Sequence, residues 1–174
     1  IAGVSIDGTL FVDSNQDFSL PVSAIVRDEA IISGSPVAVE KTENGVFNVN
    51  LVGTADVPTV FANSVAGSSG SEIPISIGGQ STDNDVALGR ALSEDIYYVV
   101  SVLNPGSAPP LGFTDGAGHM VGLNNGDGTW LLTPADLANL HVLAGAGSSG
   151  TANLRVTTIA TENDGDVASN STTF

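Results

Sequence analysis

Asn124-Asn-Gly-Asp-Gly-Thr-Trp-Leu-Leu-Thr-Pro-Ala-Asp-Leu137 sets a turn, a strand and a capped helical turn in one short run. Asn125-Gly126 and Asp127-Gly128 are turn dipeptides whose residues tolerate positive φ. Thr129–Leu132 reads as a strand carrying Trp130, the sole tryptophan, whose expected place is the core between two sheets. Thr133 suits a helix N-cap and Pro134 the first helical position. Asp136 stands third, where a carboxylate can return to the cap. Outward from this stretch the pattern repeats: short runs rich in Val, Ile and Thr, separated by Gly, Ser, Asn and Asp. That pattern predicts an all-β sandwich whose one helical turn is Pro134–Leu137.

Before the motif, strands are expected at Val4–Ile6, Thr9–Val12, Phe18–Arg27, Pro36–Glu40, Val46–Val52, Thr59–Ala62, Ile73–Ile77 and Asp95–Leu103. After it they are expected at Leu140–Leu143, Ala152–Thr161 and Ala168–Phe174. Residues 66–72 and 104–118 read as loops, because Asn104-Pro-Gly-Ser-Ala-Pro-Pro110 is too proline-rich for a central strand. A second helical turn near Leu88–Ser93 is a weaker expectation.

Two segments match. Phe18-Ser-Leu-Pro-Val-Ser-Ala-Ile-Val-Arg-Asp-Glu29 aligns with Ala152-Asn-Leu-Arg-Val-Thr-Thr-Ile-Ala-Thr-Glu-Asn163, pairing Leu20 with Leu154, Val22 with Val156 and Asp28 with Glu162. Extending the alignment sets Phe47 opposite Phe174. Both copies read as alternating strands that end in an acidic turn, spaced by about one domain length. Residues 1–54 therefore read as the closing strands of a preceding repeat, packed on the sandwich or completing it. Residues 55–174 read as a sandwich repeat with an insertion at 86–123, and the chain as a piece of something longer. Val52-Gly-Thr-Ala-Asp-Val-Pro58 has the chemistry of a linker between them.

The charge balance is lopsided: 19 acidic side chains face 4 basic ones, for a net charge of −15 over 174 residues. Phosphate contacts need clustered Lys and Arg, so nucleic acid is excluded as a partner, and anionic membrane surfaces fit poorly. No apolar run is long enough for a membrane span, so direct membrane insertion is not expected. Without cysteine there are no disulfides and no thiolate metal sites. Self-repulsion of this size weakens a compact state unless counter-ions bind. One reading is a solubilising acidic surface; the other is a set of oxygen-rich sites for Ca²⁺, which takes carboxylates and carbonyls from turns.

Three clusters carry the second reading. Asp13, Asn15 and Asp17 have the alternate spacing of the start of a calcium loop, although Phe18 and Ala24 stand where an EF-hand needs Gly and Glu. Asp83 and Asp85 follow an expected strand. Glu162, Asp164 and Asp166 flank Gly165, which allows a sharp turn between carboxylates. Each cluster reads equally as a solvated turn. Asp28 and Asp56 are further candidate ligands at the junction between repeats. Asp127 is another, though an Asp-Gly turn explains it as well. Glu94-Asp95 opens a strand and suits capping or coordination. No catalytic constellation is present: His119 and His141 lie away from any nucleophile motif, and Ser68-Ser69 and Ser148-Ser149 lack the strand–elbow–helix setting of a hydrolase. The chain is expected not to be an enzyme. In Tyr97-Tyr98 alternation turns one ring inward and the other outward. The outward tyrosine, with Asp95, is a candidate ligand contact.

Gly126-Asp-Gly-Thr-Trp-Leu-Leu-Thr-Pro-Ala-Asp-Leu137 resembles the signature of tandem extender repeats in giant bacterial adhesins of the repeats-in-toxin (RTX) class, exported by type I secretion. Asn153–Asp166 resembles their closing strand and acidic turn, Gly53–Pro58 their linker, and Ile73–Ile77 with Thr82–Asp85 their opening strand and acidic turn. The resemblance implies immunoglobulin-like β-sandwiches rigidified by Ca²⁺ on a cell-surface stalk, outside the cell, serving adhesion or biofilm formation beside neighbouring adhesin repeats. It also implies that some such modules hold a peptide or host cell-surface ligand through Ca²⁺. A Ca²⁺-dependent peptide-binding module and a purely structural spacer therefore both stand as expectations.

Overall fold

The computed structural model describes residues 18–50, 52–83, 94–104 and 110–174. The expected strands at 4–6 and 9–12, the turn near 88–93, and Asp13, Asn15, Asp17 and Asp85 lie outside them. The chain divides into two units, Ile1–Val52 and Gly53–Phe174.

In the first unit, β1 (Phe18–Ile32) and β2 (Ser35–Val49) form one long antiparallel hairpin. Two separate strands were expected where β2 runs unbroken through Lys41-Thr-Glu-Asn-Gly45. The polar run stays extended because every residue in it has a ladder partner, and cross-strand groups add to the pairing. Ser23 Oγ donates to Asn44 at 2.6 Å, and Arg27 reaches Glu40 at 3.6 Å across the pair as well as Glu29 at 3.0 Å on its own strand. The chain reverses at Ser33 and Gly34, with φ of 55° and 82°, the left-handed pair of a two-residue hairpin turn. The acidic turn expected at Asp28 is therefore absent: Asp28 lies mid-strand opposite Val39.

The second unit is an all-β sandwich. Its described strands are β3 (Phe61–Ala62), β4 (Glu72–Pro74), β5 (Ile77–Gly78), β6 (Glu94–Asn104), β7 (Pro110–Thr114), β8 (Met120–Val121), β9 (Leu123–Asn124), β10 (Thr129–Leu132), β11 (His141–Ala144), β12 (Asn153–Glu162) and β13 (Val167–Thr173). One antiparallel sheet runs β13-β12-β6-β10-β9 and the other β4-β11-β7-β8, with β3-β5 as a short ribbon. Tyr98, Val100, Trp130, Leu132, Leu154 and Val156 of the first sheet meet Phe113 of the second, with Ile75, Ile77 and Leu140. On β12 the inward positions Leu154, Val156, Thr158 and Ala160 are buried in strict alternation, the period of a half-buried strand. Leu154 and Phe174 exchange two backbone hydrogen bonds of 3.0 Å. They are cross-strand partners, as Leu20 and Phe47 are in the first unit.

The opening stretch folds much as its residues dictate. Asn124 Oδ1 accepts from Gly126 N at 2.8 Å, and Asp127 Oδ1 from Thr129 N at 3.0 Å. Trp130 is buried, and its ring meets Phe113 edge-on at 5.4 Å. Pro134–Leu137 is a single 3₁₀ turn, and Asp136 accepts from the Thr133 N–H at 2.8 Å.

The stretch 86–123, read as an insertion, supplies β6, β7 and β8 and begins β9. Its described part is framework, with Phe113 fully buried. Two other expectations need correction. The loop expected at 104–118 contains β7, which lies between β11 and β8. Pro110 is tolerated because it opens the strand and because the register with β11 shifts between Leu143 and Ala144, a bulge that absorbs the missing donor. Likewise Ile73–Ile77 is not one strand. Pro74 ends pairing with β11, Ile75 N donates to Leu140 O at 3.0 Å, and the chain reappears as β5 against β3.

Gly122 joins β8 in one sheet to β9 in the other. Its φ is +73°, and an added Cβ would lie 2.3 Å from Leu132 Cδ2 and 2.8 Å from Leu131 O. Gly122→Ala is expected to cost about 3 kcal/mol, from left-handed strain and overpacking together. Gly126→Ala, with φ +81° but open space around it, should cost only the strain, about 1 kcal/mol. Urea denaturation of the two variants checks this; equal losses would remove the steric argument for the crossover.

Candidate functional site

At one pole of the sandwich β6 begins and β12 ends, and their register sets Glu94 directly beside Glu162. Parity turns both side chains inward, below Tyr98 and Val100 on β6 and below Ala160 and Thr158 on β12. Their relative exposures are 5% and 2%. Two glutamates thus occupy the last inward positions of two neighbouring core strands. Like charges directly opposite each other destabilise a sheet, and burial raises that cost.

Loops converge on this pair. Glu94 Oε1 accepts from Asp56 N at 2.5 Å, and Oε2 accepts from the Ser81 hydroxyl. Ser81 Oγ in turn accepts from Asp83 N at 2.9 Å. Beyond Glu162 the chain turns through Gly165, with φ +97°. Asp164 Oδ1 accepts from Asp166 N at 3.1 Å and Oδ2 from Gly53 N at 2.9 Å, while Asp166 Oδ2 accepts from Ala55 N at 3.0 Å. The acidic turn therefore laces residues 53–55 to the end of β12. Each carboxylate oxygen keeps further lone-pair capacity beyond these bonds.

Of the residues singled out from sequence, Asp56, Asp83, Glu162, Asp164 and Asp166 come to this pole. Glu94, noted only for capping or coordination, is its central member. Its signal was parity: Glu94, Tyr98 and Val100 share one face of β6. Among the described residues no three acidic or histidine side chains stand in coordinating geometry as they are. The donors are all oxygen, drawn from turns and strand ends, a set that suits Ca²⁺.

The remaining candidates fall elsewhere. Asp127 is bound up in its own turn, where Thr129 donates through Oγ1 at 2.6 Å and holds the carboxyl below its ordinary pKa. Gly128 O accepts from Val102 N, eight residues along β6 from Glu94 and so about 26 Å away. Asp127 is therefore no part of the acidic pole. Asp28 belongs to the first unit. Tyr98, offered with Tyr97 as a ligand contact, is core: it is buried and its hydroxyl donates to Gly79 O at 2.9 Å. Burial raises its pKa. Tyr97 is half-buried and Asp95 exposed on the opposite face of β6.

A separate ion pair sits between β7 and β8. His119 Nδ1 lies 2.8 Å from Asp115 Oδ2 on the surface. This hydrogen bond, with help from the Ala117 N–H, lowers Asp115 to about 2 and raises His119 above its ordinary 6.5. The depressed aspartate contributes stability above its ordinary 3.8, lost as pH falls through about 2. The raised histidine contributes below 6.5, lost as pH rises through its folded value. The pair acts between those limits. In Asp115→Asn the His119 pKa, followed by NMR titration of its ring protons, should fall back toward the ordinary value; an unchanged midpoint would show that the ion pair does not form in solution.

No protein-family model, no curated protein and no solved structure matches the chain.

Proposed function

We propose that the chain is a Ca²⁺-binding β-sandwich module of a bacterial surface adhesin, and that the metal site is the acidic pole of Gly53–Phe174. One observation carries this reading: Glu94 and Glu162 are both buried and lie side by side on adjacent strands. A divalent cation placed here takes oxygens from both carboxylates. Asp56, Asp83, Asp164 and Asp166 then supply outer oxygens or hold the loops that do. Because Gly53 and Ala55 are tied to Asp164 and Asp166, an ion here stiffens the chain segment that enters the sandwich. Such stiffening suits a module that works by reach on the outside of a cell.

The spacer role is favoured over Ca²⁺-dependent peptide binding. Tyr98 is core and the described part of 86–123 is framework, which leaves only Tyr97 and Asp95, on the outer face of β6, behind the peptide reading. Isothermal titration of chelator-treated protein with CaCl₂ tests the proposal. Saturable binding on the order of 10⁻⁴ M is expected, abolished in Glu94→Gln/Glu162→Gln. No heat in the wild-type protein rules the metal site out.

A further inference from the structure

The sequence Ala66-Gly-Ser-Ser-Gly-Ser71 returns as Ala146-Gly-Ser-Ser-Gly-Thr151, altered only at its last residue. The two copies meet in space. Ser69 Oγ donates to Gly145 O at 3.2 Å and accepts from Gly147 N at 2.6 Å. Gly70 N donates to Gly145 O at 3.3 Å, and Ala144 N to Ser71 O at 3.1 Å. Between the paired loops and the start of β12 opens a cleft of about 390 Å³, within the size range of small-ligand sites.

Its lining is unusual for this chain. The floor is apolar: Ile73, Ile75, Val142, Leu154 and Phe174. The rim carries Ser64, Ser68, Ser148 and Thr151, whose hydroxyls have no hydrogen-bond partner among the described residues, together with Asn153. No lining side chain is ionisable, in a protein with a net charge of −15. A cationic ligand would find no side-chain carboxylate here, and an anionic one would meet uncharged side chains and the repulsion of the whole chain.

We propose that this cleft binds a neutral carbohydrate of one or two sugar rings. A sugar ring presents an apolar C–H face and a girdle of hydroxyls. The floor covers the first, and the serine, threonine and asparagine rim exchanges hydrogen bonds with the second. A hydroxyl both donates and accepts, so rim and ligand hydroxyls pair in either sense without a charged group. A neutral peptide is the rival occupant. It would need an ordered row of backbone donors and acceptors, and the glycine-rich loops direct theirs to each other at Gly70, Gly145 and Gly147. The site does not depend on the proposed metal, which lies with the acidic turn at the other end of β12.

The test is ¹H–¹⁵N NMR of the whole chain titrated with cellobiose, maltose, lactose and chitobiose. Sialyllactose and an acetylated, amidated Ala-Gly-Ser tripeptide serve as charged and peptide comparisons. At least one neutral disaccharide should give saturable shifts confined to 64–75 and 142–154, unchanged by chelator. Ser68→Trp, at an exposed position, should remove the shifts while the rest of the spectrum shows an intact fold. Ser68→Ala/Ser148→Ala should weaken binding about tenfold, the loss of two ordinary hydrogen bonds. The proposal is overturned if no neutral sugar shifts these resonances, if Ser68→Trp leaves them shifting, or if only the peptide or the charged sugar binds.

Discussion

Phe113→Ala is expected to remove about 4 kcal/mol of stability from the second unit and to lower its melting temperature by about 15 °C. Phe113 is fully buried and lies at the centre of the sandwich. It comes from the sheet opposite Trp130, and the rings meet edge-on at 5.4 Å and 85°. Truncation removes the largest fully buried side chain among the described residues and leaves a cavity that two hydrogen-bonded sheets cannot collapse to fill. The lost edge-to-face contact adds about 1 kcal/mol. Phe61→Ala is the comparison: that ring is 51% exposed, and its removal should cost under about 1 kcal/mol. Trp130, being the only tryptophan, reports on the site directly. Its fluorescence should shift to the red in folded Phe113→Ala, and thermal and urea melts followed at that signal give the energies. A loss below about 1 kcal/mol would mean that the two sheets do not close on this residue.

Phe113 also marks where reading the sequence reached its limit. Trp130 was legible as core because it sits in a short strand between unmistakable turn and cap residues. The alternation of Leu154, Val156 and Thr158 likewise gave β12 its inward face. Phe113 was hidden by its approach: the Pro- and Gly-rich run before it reads as loop, and only a bulge opposite Leu143 and Ala144 lets a strand begin at Pro110. Bulges depend on the partner strand, so a single segment cannot announce them. The same holds for Pro74. It reads as an interruption within one strand, yet it is where the chain leaves one sheet for another ribbon. Of the acidic pole, the 162–166 turn was visible from Gly165 and its flanking carboxylates. Its partner Glu94 was visible only as a strand-opening acid, because what matters about it is a long-range register with Glu162. Asp28 failed as a counterpart of Glu162 for a local reason. Its turn lies further on, at Ser33-Gly34, so the carboxylate remains within a ladder.

Calcium should raise the melting temperature of the second unit by about 10 °C, and the glutamate pair should be the cause. With the metal about a hundredfold above a dissociation constant on the order of 10⁻⁴ M, linkage contributes about 2.7 kcal/mol. For a unit of this size each kcal/mol moves the midpoint by about 4 °C. Glu94→Gln/Glu162→Gln keeps the shape and removes the two carboxylates that lie side by side. An amide oxygen at position 94 still accepts from Asp56 N, as Oε1 does now. The double variant should therefore melt below wild type in about 10 mM CaCl₂, with no response of its own to the metal. Magnesium should replace calcium poorly, since it demands tighter octahedral geometry and gives up water reluctantly. A simple loss of stability in the variant in chelator and in CaCl₂ alike would make the two glutamates structural hydrogen-bonding groups. A calcium response that survives in the variant would move the metal away from this pole. Loss of the calcium response in a variant that still folds is the outcome that a metal held at these carboxylates produces.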